Sequence, residues 1–448
     1  ERFTIYFLLT FEHSPVARME RTDSDGSSYS SEEPTRLGTI SPLETTPIFE
    51  SILLFVSSIG CTLGYTALLS NLVYYTDTLG VNSFLILNFA VYSPLLPITI
   101  AQAAWDASFD RRYKSLRTFF FRGTFGFLLS FACLVLSPWA SRSLYHLSMV
   151  AILMGLSSAV LHGTLKQMSS FLFSDCARSA AAVNAGLQGS GLIVLFNSLY
   201  SEFGRCGSSK GLYLFYYSIA GALLISWLSF QWLLCCRQSV VFSMRRRDSI
   251  LIPSEFNEAL LSSSHSIDGS ANTEVESRIP QEYSFLSLWK KSWSICFALM
   301  ITVGSSMSVA SCFNRVLSQN PSNTGFPQVL FYTRIVADLV SRPATLITSS
   351  PSKSMLIYAS IVRLGFVPVF FVYASTNLIP RNDAGALFSV FAFSFSSGYL
   401  VTLAYQLAPT LLDDIDREKN RLKLANLMNV CFSLSVILGM ITSILTLS

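Results

Sequence analysis

Leu212-Tyr-Leu-Phe-Tyr-Tyr-Ser-Ile-Ala-Gly-Ala-Leu-Leu-Ile-Ser-Trp-Leu-Ser-Phe-Gln-Trp-Leu-Leu-Cys-Cys236 carries no charged side chain. A helix needs roughly 20 such residues to cross the hydrocarbon of a bilayer, whereas a buried strand stops after about 4–8. The stretch is therefore read as a transmembrane helix. Working outward from it, apolar segments of similar length occupy about 49–75, 83–105, 118–138, 144–172, 181–203, 291–313, 326–349, 354–376, 384–409 and 423–447. With 211–236 they give about eleven spans, six before a long polar stretch and five after it. The expected fold class is an all-α integral membrane protein.

Composition agrees. Charged residues are only 13% of the chain against 51% hydrophobic, and soluble domains carry about a quarter charged residues. The net charge of +4 is too small to suggest nucleic-acid binding. Residues 1–47 are read as a disordered cytoplasmic tail, rich in Ser, Thr, Glu and Pro from about Ser14 to Thr46. Phe3–Thr10 is apolar but too short to span, and a targeting remnant or a short helix both fit it. Residues 48–236 form the six-helix half, 237–290 a mostly disordered cytoplasmic loop, and 291–448 the five-helix half. The cysteines are scattered without metal-ligand or redox spacing, so no metal or cofactor is expected.

Placing the N-terminus in the cytoplasm puts Arg111-Arg112-Tyr113-Lys114, Arg117, Arg178, Arg245-Arg246-Arg247, Lys353, Arg417, Lys419, Arg421 and Lys423 on the inner side. The opposite loops hold Arg142, Arg205, Lys210 and Arg381. The asymmetry follows the positive-inside rule, and an odd number of spans then leaves the C-terminus outside. The plasma membrane is the expected location, since no retention address is present.

Ionisable residues inside apolar spans are the functional candidates, because a mid-membrane charge costs roughly 2.5–3.5 kcal/mol and usually faces a partner or a polar cavity. Span eight reads Arg334-Ile-Val-Ala-Asp338-Leu-Val-Ser-Arg342, which sets three charges on one helix face. Asp338 and Arg342 are expected to bind the solute; a structural ion-pair lock is the bland alternative. Arg334 is free to snorkel outward. Arg363 in span nine either pairs with Asp338 or steers a gate. In span four, His162 and Lys166 again stand four apart. His162 offers a donor and an acceptor suited to a base edge, although a proton carrier or a satisfied interhelical hydrogen bond fits it too. Lys166 is expected to snorkel toward the inner face as a gating or structural charge, with a binding role as the lesser alternative. In span five, Gln188 and Asn197 bind solute or glue helices, and Gly186-Leu-Gln-Gly189-Ser-Gly191 lets helix backbones approach. Pro94, Pro97 and Pro368 predict kinks.

Asp338-Leu-Val-Ser-Arg342, Arg363-Leu-Gly-Phe-Val-Pro368 and Phe391-Ala-Phe-Ser-Phe-Ser-Ser-Gly398-Tyr399-Leu400 resemble, in order and spacing, the equilibrative nucleoside transporter family. The likeness is clear over roughly Phe331 to Ser448 and faint before it. It implies a 6+5 major-facilitator-like bundle that passes nucleosides or nucleobases by alternating access, facilitatively. It also implies that Asp338 and Arg342 form the family's essential pair, contacting ribose. His162-Gly163 falls where the family has glutamine-glycine, the glutamine binding the base, and Gln188-Gly189 is similar to its span-five glycine-glutamine-glycine element. Departures are span one, which reads Leu63-Gly64-Tyr65-Thr66-Ala67-Leu68-Leu69 without the family's Pro-Trp-Asn, Ile335 for an asparagine and Ser341 for a glycine.

Two rivals stand beside this. A major facilitator for another small polar solute is suggested by Asp106-Ala-Ser-Phe-Asp110-Arg111-Arg112 after span two, with Asp106 where that signature has glycine. A membrane enzyme or receptor is disfavoured, because His13, His146, His162 and His265 are too dispersed for a catalytic cluster. The expected partners are a small-molecule substrate and the lipid bilayer; the sequence sets no oligomeric state.

Overall fold

The structure is a computed structural model that describes residues 47–80, 82–171, 176–203, 209–237, 240–241, 243–244, 283–310, 316, 318–320, 325–347, 352–376, 382–412 and 414–447. The expected N-terminal tail and most of the 237–290 loop lie outside the described residues. So do Arg205, Arg245, Arg246, Arg247 and Arg381, and the side chains of Arg111, Arg417 and Lys419.

The described residues form helices α1 (Pro47–Ser70), α2 (Leu72–Leu79), α3 (Ser83–Tyr92), α4 (Leu95–Tyr113), α5 (Ser115–Ala140), α6 (Leu144–Phe171), α7 (Cys176–Ser201) and α8 (Leu212–Cys236). After the loop come α9 (Phe285–Ala310), α10 (Phe326–Ala344), α11 (Lys353–Leu364), α12 (Phe366–Ser375), α13 (Asp383–Leu407) and α14 (Asp414–Leu447). α8 shows how the sequence sorts its faces. Tyr216, Ile219, Leu223, Phe230 and Leu234 recur at helical spacing and are buried, while Leu214, Ile225, Leu228 and Trp232 are exposed. An exposed face built from large apolar side chains is what lipid contact requires and water disfavours.

Among the described residues ten helical stretches are long and apolar enough to cross a membrane, α3 with α4 and α11 with α12 each counting as one. Of the two helices left out, α2 has only eight residues, and α10 carries Arg334, Asp338 and Arg342. Its packing between α7 and α13 makes it the eleventh. The charges that lower its hydropathy face protein rather than lipid, and the 6+5 arrangement stands.

Proline sets the two breaks. α3 ends at Tyr92 and α4 begins at Leu95, around Ser93-Pro94. Pro97 adds no separate kink, because it sits in the first turn of α4, where no intrahelical donor is needed. α11 and α12 part at Gly365, and Pro368 leaves the Leu364 carbonyl without its usual donor. Three helix ends differ most from expectation, and α4 is one of them, running on to Tyr113 rather than stopping near 105. α9 starts at Phe285 rather than 291, and α14 at Asp414 rather than 423. Helices extend past the apolar slab, and in α9 the exposed Lys290 and Lys291 mark that extension. Val240 and Met244, also assigned to the loop, are buried.

Each half has its own core. Leu63, Phe119, Phe127, Leu161, Phe215 and Phe230 belong to one cluster, and Leu288, Leu299, Leu403, Leu427 and Met428 to another. α1 lies along α7 and α8, and a Cβ at Gly186 of α7 would overlap the Phe55 carbonyl oxygen, so this small residue sets the approach. The halves meet where α7 touches α10 and α13, and where α14 touches α4 and α6. The site lies along that seam.

Candidate substrate site

α10 supplies the centre. One turn apart, Arg342 Nη2 donates to both carboxylate oxygens of Asp338, at 3.1 and 2.9 Å. Arg342 Nη1 crosses to Asn184 Oδ1 of α7 at 3.3 Å, tying the halves. Its Nε is buried without a hydrogen-bond partner. On the other side of Asp338 stands Gly398 of α13. A Cβ there would overlap Asp338 Oδ1, the Asp338 carbonyl oxygen and Ser341 Oγ. The Ser397-Gly398-Tyr399 element is thus the surface on which the carboxylate rests.

A cavity of about 100 Å³ opens beside this pair. Both halves wall it. α10 gives Arg334, Asp338 and Arg342; α6 gives Ser158, His162 and Lys166; α7 gives Asn184 and Gln188. Tyr65 of α1 and Tyr92 of α3 add an aromatic corner, their ring centroids 5.6 Å apart. Phe432 of α14 lines the wall and tilts against the His162 ring at 5.0 Å. His162 Nε2 is buried and has no partner among the described residues.

Six residues singled out from the sequence therefore converge: Asp338, Arg342, His162, Gln188, Arg334 and Lys166. Two of them stand differently than expected. Lys166 does not snorkel; it is 3% exposed, donates to Asn184 Oδ1 and lies 3.6 Å from the Tyr405 ring centroid. An amide and a ring face from two other helices hold the ammonium where a path to the surface would otherwise be taken. Arg334 likewise lines the cavity instead of turning outward. Arg363 stays outside the lining. Its guanidinium donates to Thr302 O at 2.7 Å, Ser306 Oγ at 2.9 Å, Ser305 Oγ at 3.0 Å and Ser396 Oγ at 3.2 Å, and stacks 3.8 Å from the Phe393 centroid. It clasps α9, α11 and α13 together. Asn197 receives a hydrogen bond from Ser218 at 2.7 Å, away from the cavity.

A second polar cluster joins α4, α5, α6 and α14 toward the end of the bundle at which α1 starts. Asp106 of α4, 2% exposed, forms an ion pair with Arg122 of α5 and accepts from Gln167 of α6. Gln167 donates also to Asn426 Oδ1 of α14 at 2.6 Å, and Asn426 Nδ2 returns to Asp106 at 3.4 Å. Nearby, Gln406 of α13 donates to the Ala177 carbonyl of α7 at 3.1 Å. Only Asp106 was visible beforehand, and only as the wrong residue in a loop signature. Asn184 and Asn426 were missed, and the signal for each was an amide one turn from another, Gln188 after Asn184 and Asn429 after Asn426. Tyr65 had registered as a departure from Pro-Trp-Asn and proves to line the site.

The family model for nucleoside transporters matches residues 147–447. The chain belongs to the nucleoside transporter family. The match takes in α10, α13 and the α6–α7 wall, so it covers nearly all of the cavity. This nucleoside transporter is also similar to a solved major facilitator, the proton:xylose symporter XylE bound to 6-bromo-6-deoxy-D-glucose. The two share 13% identity at a TM-score of 0.53, over 89% of this chain and 94% of that one, which shows the major facilitator fold. No curated protein matches the sequence. The nucleoside transporter is a multi-pass membrane transporter.

Proposed function

We propose that this transporter carries nucleosides and nucleobases across the plasma membrane by facilitated, alternating access. The observation that carries the reading is the Asp338–Arg342 pair, set at the edge of a cavity walled by both halves. Ionisable groups this deep in a membrane protein mark pathways when they face a cavity. Asp338 accepts from sugar hydroxyls, Arg342 holds it and donates, His162 and Gln188 meet the base edge, and Tyr65 with Tyr92 gives it a stacking surface. The N-terminus is cytoplasmic and the C-terminus external, supported by the excess of Lys and Arg on one set of loops. The direct test is uptake of labelled adenosine, inosine and hypoxanthine in a host deficient in nucleoside transport. Saturable uptake of at least one is expected; no uptake of any by surface-expressed protein overturns the reading.

Two outcomes follow from single residues. His162→Gln keeps uptake but changes preference among bases by about 2–10-fold, the worth of one net hydrogen bond. Identical competition profiles for the two proteins would count against base contact. Asn426→Leu removes a cross-half acceptor while leaving the Asp106–Arg122 ion pair in place. It shifts the population toward states open at the face where α1 starts. A cysteine placed at Asn184 should then react faster with a thiol reagent applied from that face, and an unchanged rate would deny the cluster a gating role.

A further inference from the structure

The cavity wall is unbalanced in charge. Lys166, Arg334 and Arg342 line it against a single carboxylate, Asp338. Arg342 is answered by Asp338 at 2.9 Å. Lys166 is not: its Nζ donates to the neutral oxygen of Asn184 and lies on the Tyr405 ring. Arg334 has no ion-pair partner within 4 Å among the described residues. Lys166 and Arg342, moreover, converge on the same acceptor, Asn184 Oδ1. Two cations therefore share one neutral oxygen, while Arg342 Nε and His162 Nε2 are buried beside them with no hydrogen-bond partner among the described residues. Cations withdrawn from water are stable only with counter-charge or a full set of acceptors. A neutral solute supplies the acceptors and leaves the excess charge in place. A singly anionic one supplies acceptors and also cancels one of the two excess positive charges.

We infer that the preferred substrate is a nucleoside or nucleobase carrying one negative charge, its acidic ring edge held between Lys166 and Arg342. This rests on the nucleoside reading above and narrows its chemistry. The class is a purine or pyrimidine with a ring N–H acidic enough to be lost at neutral pH. Asp338 remains next to Arg342 and is left for the sugar, so the anion seats on the Lys166 side of the pair. The aromatic corner of Tyr65 and Tyr92 is charge-neutral and takes the ring face.

The test compares two purine nucleosides of nearly equal shape at neutral pH, xanthosine, which has lost a ring proton there, and inosine, which has not. Purified full-length protein in liposomes should take up xanthosine in preference to inosine by roughly 10–150-fold, the worth of one charge-assisted contact. Xanthosine entry should also carry current on a supported membrane while inosine entry carries none. Lys166→Met should erase the preference and Lys166→Arg should retain most of it. Inosine moving as fast as xanthosine, or faster, overturns the inference and leaves the nucleoside reading standing. Neither compound moving, in protein shown to be inserted and folded, overturns the inference, and failure of adenosine and hypoxanthine as well overturns both. The wild-type comparison decides the matter even if the Lys166 variants fail to fold.

Discussion

Asp338→Ala abolishes nucleoside uptake while the protein still reaches the membrane, as measured by initial-rate uptake normalised to surface biotinylation. The carboxylate is the partner of Arg342, receiving both of its hydrogen bonds from one guanidinium nitrogen. Removing it leaves that cation beside Lys166, with Asn184 Oδ1 as their shared acceptor. Breaking a buried pair from one side costs about 3–5 kcal/mol. Part of that is released by the side chain swinging into the cavity, where a substrate would sit. Both consequences act on transport: the sugar loses its acceptor, and the guanidinium occupies the place of the solute. Asp338→Asn keeps the shape and drops the charge, and it should fail almost as completely. Loss of surface protein in parallel with loss of uptake, in both variants, would make the pair a structural lock instead.

How far this was readable beforehand depends on the range of the interaction. The i, i+4 spacing of Arg334, Asp338 and Arg342 fixes their common face within one helix, so α10 was legible as a functional span even though its charges depress its hydropathy. His162 and Lys166 were legible as a pair for the same reason. The fate of Lys166 was not, because what prevents snorkelling is a tyrosine ring from α13 and an amide from α7, neither local to it. Asp106 illustrates the same limit. Its sequence neighbours mark a loop at the end of span two, but its partners Arg122, Gln167 and Asn426 come from three other helices. Helix ends were misplaced where polar turns continue beyond the hydrocarbon, as at Phe285 and Asp414. A hydropathy pattern reports the slab and not the length of the helix.

The glycine of the Ser397-Gly398-Tyr399 element is the position where packing and transport are least separable. α13 lies along α10 here, and the space a Cβ would need is already filled by Asp338 Oδ1, Ser341 Oγ and the Asp338 backbone carbonyl. One of the three obstacles is main chain, so turning a side chain cannot relieve the overlap. Gly398→Ala must either move α13 away from α10 or push the carboxylate off its seat. Either response disturbs the geometry that holds Asp338 on Arg342, and overpacking of this kind costs about 1–3 kcal/mol. The expected result is a loss of uptake of roughly tenfold or more with modest loss of thermal stability in detergent. Ser341→Gly in the same chain removes one of the obstacles, and the double variant should recover part of the lost rate. Gly398→Ala transporting at the parental rate would show that α10 and α13 do not keep this contact during transport. Asp338 would then have to be positioned by Arg342 alone.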